Sequence, residues 1–244
     1  MQIKALYSIR PDMKMSEIVS NNTYFMLLLE NFDITLPVAD KTILEICKEN
    51  NINPTLFLIL ANLYNGQEYK RKEELTFSDA ESIVHFLKRS HNYYSDEIYP
   101  GILEAINQLA ELNNSHEMAL VPKFFAEYYK DVTEHLNYEN DVVFPYVLEL
   151  THNIKRGTQL QSDLAFSSKK YIGHHDEIGE KLDDLKSLLI KYLPQKDDSK
   201  ERRKILFLLS HLEFDLNIHS QIEELILEPL IKKMEKQLKG KQID

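Results

Sequence analysis

Along four long stretches of the chain, apolar residues recur at alternating three- and four-residue steps. That spacing lines up one face of an α-helix in a helix bundle. The first stretch carries Val84, Leu87, His91, Tyr94, Ile98, Ile102, Ala105 and Leu109 in this phase. The second carries Phe125, Tyr128, Val132, His135, Glu139, Val142 and Tyr146, and the third Leu164, Tyr171, His175, Ile178, Leu182, Leu185 and Leu189. In the fourth the stripe is Leu208, Leu212, Leu216, His219, Ile222 with Glu223, and Ile226. Ser78 and Glu81 are spaced as a capping box at the start of the first helix, and Pro122 suits the first turn of the second. The third helix lies between Gly157 and Pro194, and the fourth begins near Asp198. Connections this short make consecutive helices antiparallel, so an all-α, up-down-up-down four-helix bundle over residues 75–240 is predicted.

Residues 1–70 read differently. Short helical patterns follow one another there, the first capped by Ser16 and running through Ile18, Phe25, Leu28 and Leu29. A second, capped by Asp40, runs through Ile43, Ile46 and Cys47, and Pro54 opens a third over Leu56 to Leu63. The charged, Gly-containing stretch Asn65 to Glu74 reads as a linker. A small helical N-terminal domain before the bundle is therefore expected.

Each of the four stripes interrupts its apolar run with a histidine, and two of them add a glutamate four residues later. His135, Glu139 and Pro145 recur as His219, Glu223 and Pro229 at identical spacing, an internal repeat in which each proline is expected to end or kink its helix. A carboxylate in an apolar seam costs several kcal/mol unless it is paired or bound to metal. No Lys or Arg lies in the stripes to pair with Glu139 or Glu223. His91, His135, His175 and His219, with Glu139 and Glu223, would make a site for two transition-metal ions, glutamates bridging and imidazoles capping. These donors serve iron, manganese and zinc alike. Phase places His175, not His174, in the seam. His85 is expected to be structural, His116 and His152 to be solvated at loop edges, and the match of His211 with Asp215 to be incidental; Tyr94 and Tyr128 read first as core aromatics, although a hydroxyl there could reach a metal-bound oxygen.

Composition narrows the rest. A net charge of −10 with a pI near 5.4 argues against nucleic-acid partners, which require a basic surface. A single cysteine, Cys47, excludes an internal disulfide and a thiolate-rich zinc site. Met1 to Arg10 has no signal-peptide pattern and no apolar run reaches membrane-spanning length, so a cytoplasmic location is expected.

Taken together, His91, His135-x-x-x-Glu139 with Val143-Phe144-Pro145, His175-Asp176-Glu177 and His219-x-x-x-Glu223 resemble the hemerythrin-like (HHE cation-binding) domain. More closely the chain resembles the Repair of Iron Centres di-iron family, whose small helical domain is similar to Phe32-Asp33-Ile34, Ile43 to Asn53 and Pro54. The resemblance implies a carboxylate-bridged centre of two iron ions, in preference to manganese or zinc, held by the six residues above. It implies a role in nitrosative and oxidative stress and in repair of damaged iron–sulfur centres. Implied partners are O2, NO or peroxide, and damaged iron–sulfur proteins. The alternative is a hemerythrin-like O2- or NO-binding sensor whose N-terminal domain relays the signal to a partner. The family's Cys-Cys motif has no counterpart, since its place reads Thr35-Leu36-Pro37-Val38-Ala39. Oligomeric state is left open, a homodimer included.

Overall fold

The computed structural model describes residues 7–69, 75–113, 115–158 and 168–240, without the side chains of 168–177 and 240. The chain is all-helical over these residues. No strand forms among them, and one isolated antiparallel bridge joins Lys14 to Thr42. None of the described helices is long and apolar enough to cross a membrane.

Four short helices come first: α1 (Met15–Asn21), α2 (Phe25–Asn31), α3 (Ile43–Glu49) and α4 (Pro54–Tyr64). The single helix expected from Ser16 is thus two, broken at residues 22–24, where the Asn22 side chain leaves the helical path to donate to the Tyr64 carbonyl at 3.0 Å. Asp40 does not cap α3. Thr42 does, in a capping box with Glu45. Pro54 opens α4 as expected, with Asn53 capping it.

Later elements are α5 (Asp79–Tyr93), α6 (Tyr99–Leu112), α7 (Val121–Tyr138), α8 (Phe144–Arg156), α9 (Ser168–Ser187), α10 (Ser199–Ile222) and α11 (Glu228–Gly240). Between α5 and α6, α7 and α8, and α10 and α11, the helix does not stop. It continues through five-residue π-helical turns, Tyr94–Ile98, Glu139–Val143 and Glu223–Leu227, and another, Leu188–Tyr192, ends α9. α5 starts at Asp79, whose carboxylate accepts from the Thr76 N–H at 2.7 Å and the Thr76 hydroxyl at 2.8 Å. Glu81, the expected capping partner of Ser78, instead pairs with Lys155 at 2.8 Å.

The described residues form two compact units. One is drawn from within Met1–Ser90, Phe144–Asp163 and Gln221–Asp244, the other from within His91–Val143 and Leu164–Ser220. In the first, Phe32 packs its ring against Phe57 and Phe86, with centroids 5.2 and 5.0 Å away. Its helix ends share one device. Asp33, Asn51, Gly66 and Gly157 take left-handed conformations, and the next residue's N–H reaches back five positions, as Ile34 to Leu29 at 2.8 Å. The Phe32-Asp33-Ile34 segment is therefore a helix C-cap, and Asp33 further binds His85 at 2.5 Å and Arg89 at 3.1 Å.

The second unit has an apolar core to which α6, α7, α9 and α10 all contribute, through Ile102 and Leu109, Phe125 and Val132, Leu182 and Leu185, and Ile205, Leu209 and Leu212. At the start of α10 the buried face is Ile205, Leu209 and Leu212, while Leu208 is half-buried, one residue out of the expected phase. Buried Asp198 closes the α9–α10 connection. It accepts from Asn113 at 2.8 Å and from Arg202 at 3.0 Å, and both donors also hold the Pro194 carbonyl. Burial raises the Asp198 pKa, but the Asn113 and Arg202 hydrogen bonds and the Arg202 charge pull it below its ordinary value. A depressed folded-state pKa stabilises above the unfolded pKa and is lost as pH falls through the folded one. Asp198→Ala is expected to cost about 2–4 kcal/mol at neutral pH, since it takes the balancing carboxylate from the Arg202 charge and one acceptor from Asn113. Urea unfolding at pH 7 and again below pH 4 checks this: the wild-type advantage should shrink in acid.

Candidate metal centre

The long helices carry their polar seam residues inward. His91 is 2% exposed, His135 8%, His219 5%, and Glu139 and Glu223 are fully buried. His91, Glu139, His219 and Glu223 each offer one ligand atom, and those atoms all lie within 4.8 Å of one another. That is close enough to hold a metal ion.

Glu139 is the hinge of the arrangement. Its Oε1 meets His135 Nε2 at 2.9 Å and its Oε2 meets His91 Nε2 at 3.1 Å, so each carboxylate oxygen faces a different imidazole. His91 Nε2 also lies 3.3 Å from His219 Nε2. On its other side, His91 Nδ1 donates to Asn140 Oδ1 at 3.2 Å. An amide oxygen only accepts, so it places the ring proton on Nδ1 and turns Nε2 toward the cluster, as a metal-ligating imidazole requires. Glu139 and Glu223 oxygens at these separations repel by roughly 3 kcal/mol or more at an effective dielectric near 20. A cation among these atoms would relieve that repulsion. Imidazole and carboxylate together are the donor set of a transition-metal site.

The prolines explain how the glutamates come to lie there. Each π turn begins six residues before a proline: Tyr94 and Pro100, Glu139 and Pro145, Leu188 and Pro194, Glu223 and Pro229. Proline brings no N–H and its ring clashes with the carbonyl four residues back. The helix answers by widening, with the residue before the proline bonding five residues back: Tyr99 to Tyr94, Leu193 to Leu188 and Glu228 to Glu223. Pro145 and Pro229 thus do not end their helices. They set π turns whose first residues are the two buried glutamates. Only at Pro194 does the helix stop, with Leu193 extended.

Of the six residues expected at the site, five are described with side chains, and His91, His135, Glu139, His219 and Glu223 are all buried. His135 joins through Glu139 Oε1, outside the four-atom group. His175 lies on α9, but its side chain, like that of His174, is outside the described residues. His116 and His152 are exposed as expected, and His85 is an exposed partner of Asp33. Tyr128 turns its hydroxyl to Tyr99 at 3.2 Å, and Tyr94 turns its hydroxyl to Asp215 at 2.7 Å. Asp215, read with His211 as an incidental match, is 1% exposed and is a buried residue that sequence reasoning missed. Its signal was present: His211, Asp215, His219 and Glu223 follow one another at four-residue steps on one helix face.

No family model matches the chain, and no curated protein matches it.

A bound ion should stabilise the fold. With free Mn2+, Zn2+ or anaerobic Fe2+ at a hundred times Kd, the gain is about 2.7 kcal/mol. Thermal unfolding of chelator-treated protein should show this rise, and Glu139→Ala should abolish it. A flat response of the wild type to all three ions would remove the site.

Proposed function

We propose that the protein is a non-haem di-iron protein of the Repair of Iron Centres kind, a hemerythrin-like four-helix bundle behind a small helical domain. Its role would be in nitrosative and oxidative stress, restoring damaged iron–sulfur centres. The observation that carries this reading is the Glu139 carboxylate, which presents one oxygen to His135 and the other to His91. A carboxylate addressed on both oxygens suits a bridge between two ions, and Glu223 would be its counterpart from the repeat. His91, His135, His175 and His219 would supply the terminal imidazoles.

Bound iron would supply reversible ligand binding and electron transfer towards O2, NO or peroxide. Everything else falls to the chain. Glu139 and Glu223 balance the charge of the ions, and Asn140 keeps the His91 ring in its ligating orientation. Burial of all five described residues keeps bulk water from the donors.

A second reading, an O2- or NO-binding sensor, is favoured by one observation. The Thr35–Ala39 segment holds no cysteine, and Cys47 is fully buried with its thiol pushed up to about 12 by burial. A thiol so held is inert at neutral pH, which removes thiol-assisted metal handover as a route.

Iron content and optical spectra of protein expressed with iron test the first reading. Two irons per chain and oxo-iron charge-transfer bands are expected. Glu139→Ala and Glu223→Ala should each lose most of the iron, since a lost charged ligand costs several kcal/mol. Unchanged iron in both variants would refute the bridging role. If the loaded protein binds NO reversibly, yet neither consumes it nor restores a damaged iron–sulfur enzyme, the sensor reading stands instead.

A further inference from the structure

The repeat of π turns has a third inward member that is not a carboxylate. At the position where Glu139 and Glu223 stand, six residues before the proline, the first long helix places Tyr94, which is fully buried. Its ring lies 5.7 Å from the His219 ring, centroid to centroid, at 63°. Its hydroxyl is not turned into the cluster but donates to Asp215 Oδ2 at 2.7 Å, and Asp215 is itself 1% exposed. Tyr99, Tyr128 and Tyr146 differ from this arrangement. Tyr99 and Tyr128 share a hydrogen bond with each other, and neither phenol is a useful base towards the other. Tyr146 donates to Glu235, but that carboxylate is only half-buried.

A buried phenol is hard to oxidise by electron loss alone, because the cation left behind is unsolvated. A carboxylate already hydrogen-bonded to the hydroxyl removes that obstacle by taking the proton as the electron leaves. We propose that Tyr94 and Asp215 form a one-electron donor, in which Tyr94 gives up an electron and Asp215 stores its proton. In the forward step the Tyr94 O–H bond breaks, the proton bonds to Asp215 Oδ2, and one electron passes to an oxidant. The products are a neutral phenoxyl, a protonated Asp215 and an oxidant reduced by one electron. On re-reduction the phenoxyl takes one electron and recovers the proton from Asp215. The natural oxidant rests on the di-iron reading: bound iron with hydrogen peroxide would supply the oxidising equivalent, and His219, whose ring lies 5.7 Å from that of Tyr94, would be the iron-holding side chain beside it.

A purely structural Tyr–Asp hydrogen bond makes different predictions, and Asp215→Asn separates the two. The amide oxygen still accepts from Tyr94, so the fold is held, but it cannot store a proton. Metal-free protein is oxidised with a photogenerated ruthenium(III) complex, and phenoxyl is followed by its optical band and by electron paramagnetic resonance. The wild type is expected to give a long-lived phenoxyl that returns to tyrosine on adding a reductant. Tyr94→Phe should lose that population and keep only the short-lived radicals of exposed tyrosines. Asp215→Asn should form it about a hundredfold more slowly, the lower range for a positioned proton acceptor, with circular dichroism unchanged. Tyr146→Phe should behave as wild type. If Tyr94→Phe retains the long-lived signal, or Asp215→Asn forms it at the wild-type rate, the proposal is overturned whether or not the protein holds iron. Iron-loaded protein treated with peroxide then identifies the oxidant. A Tyr94 radical seen only in the metal-free experiment would retain the pair and refute the centre as its natural partner, and iron content of the same sample reports separately on the di-iron reading.

Discussion

Two glutamates with no exposure to water, their oxygens within 4.8 Å of each other and of two imidazoles, set the terms for everything around them. Burying one charge without compensation costs several kcal/mol, and burying two of the same sign adds their repulsion. Two added protons could compensate, on the carboxylates themselves or on imidazoles, but they would crowd donors around His91 and His219, which already face each other at 3.3 Å. A divalent cation places the same positive charge at one point and uses neutral imidazoles as ligands. That economy makes a metal the better answer to the constraint, and it is the physical basis of the function proposed above.

The constraint is met by prolines lying six residues beyond the buried groups. A proline inside a helix is ordinarily a cost of about 3 kcal/mol or more. Here it coincides with a π turn, and an extra residue in a turn rotates the helix downstream by about 100°. The consequence is visible on the second long helix, where Glu139 is followed on the buried face by Val143 and Phe144, while Val142 is only half-buried. The helix can therefore turn a polar ladder inward up to the glutamate and an apolar face inward after it. Tyr94, Glu139 and Glu223 occupy one register because the same backbone event precedes Pro100, Pro145 and Pro229.

That event marks the boundary of what the sequence made legible. The helices and the inward histidines and glutamates could be read, because both depend on period alone and a three-four repeat is hard to hide. The backbone events could not. A heptad reading assumes constant pitch, so it placed Val142 in the seam and left Pro100 unconnected to Pro145 and Pro229. Asp215 was lost for a related reason. A stripe drawn through Leu208, Leu212, Leu216 and His219 steps past Asp215, and a four-residue acid–histidine pair such as His211 with Asp215 is unremarkable on a helix. At the N-terminus, Ser16 and Asp40 were plausible caps by type, but long-range bonds such as Asn22 to the Tyr64 carbonyl decided where the helices broke.

The Phe32-Asp33-Ile34 segment shows how a resemblance and a structural reason can share residues. Asp33 is required there by geometry: it takes φ 57°, which few residues other than Gly, Asn and Asp adopt, and it anchors His85 and Arg89. A cap of this kind would be kept whatever chemistry followed it. The segment after it, Thr35–Ala39, carries no thiol, and Cys47 in α3 is buried with its thiol held protonated. At the buried cluster, Tyr94 stands in the glutamate register with a carboxylate on its hydroxyl. A tyrosine there gives up a third anionic ligand, and the Asp215 beside it keeps a negative charge close by without adding it to the cluster itself. On the proposal above, a tyrosine at that position adds no further charge to the cluster and instead gives a group that can move an electron and a proton together.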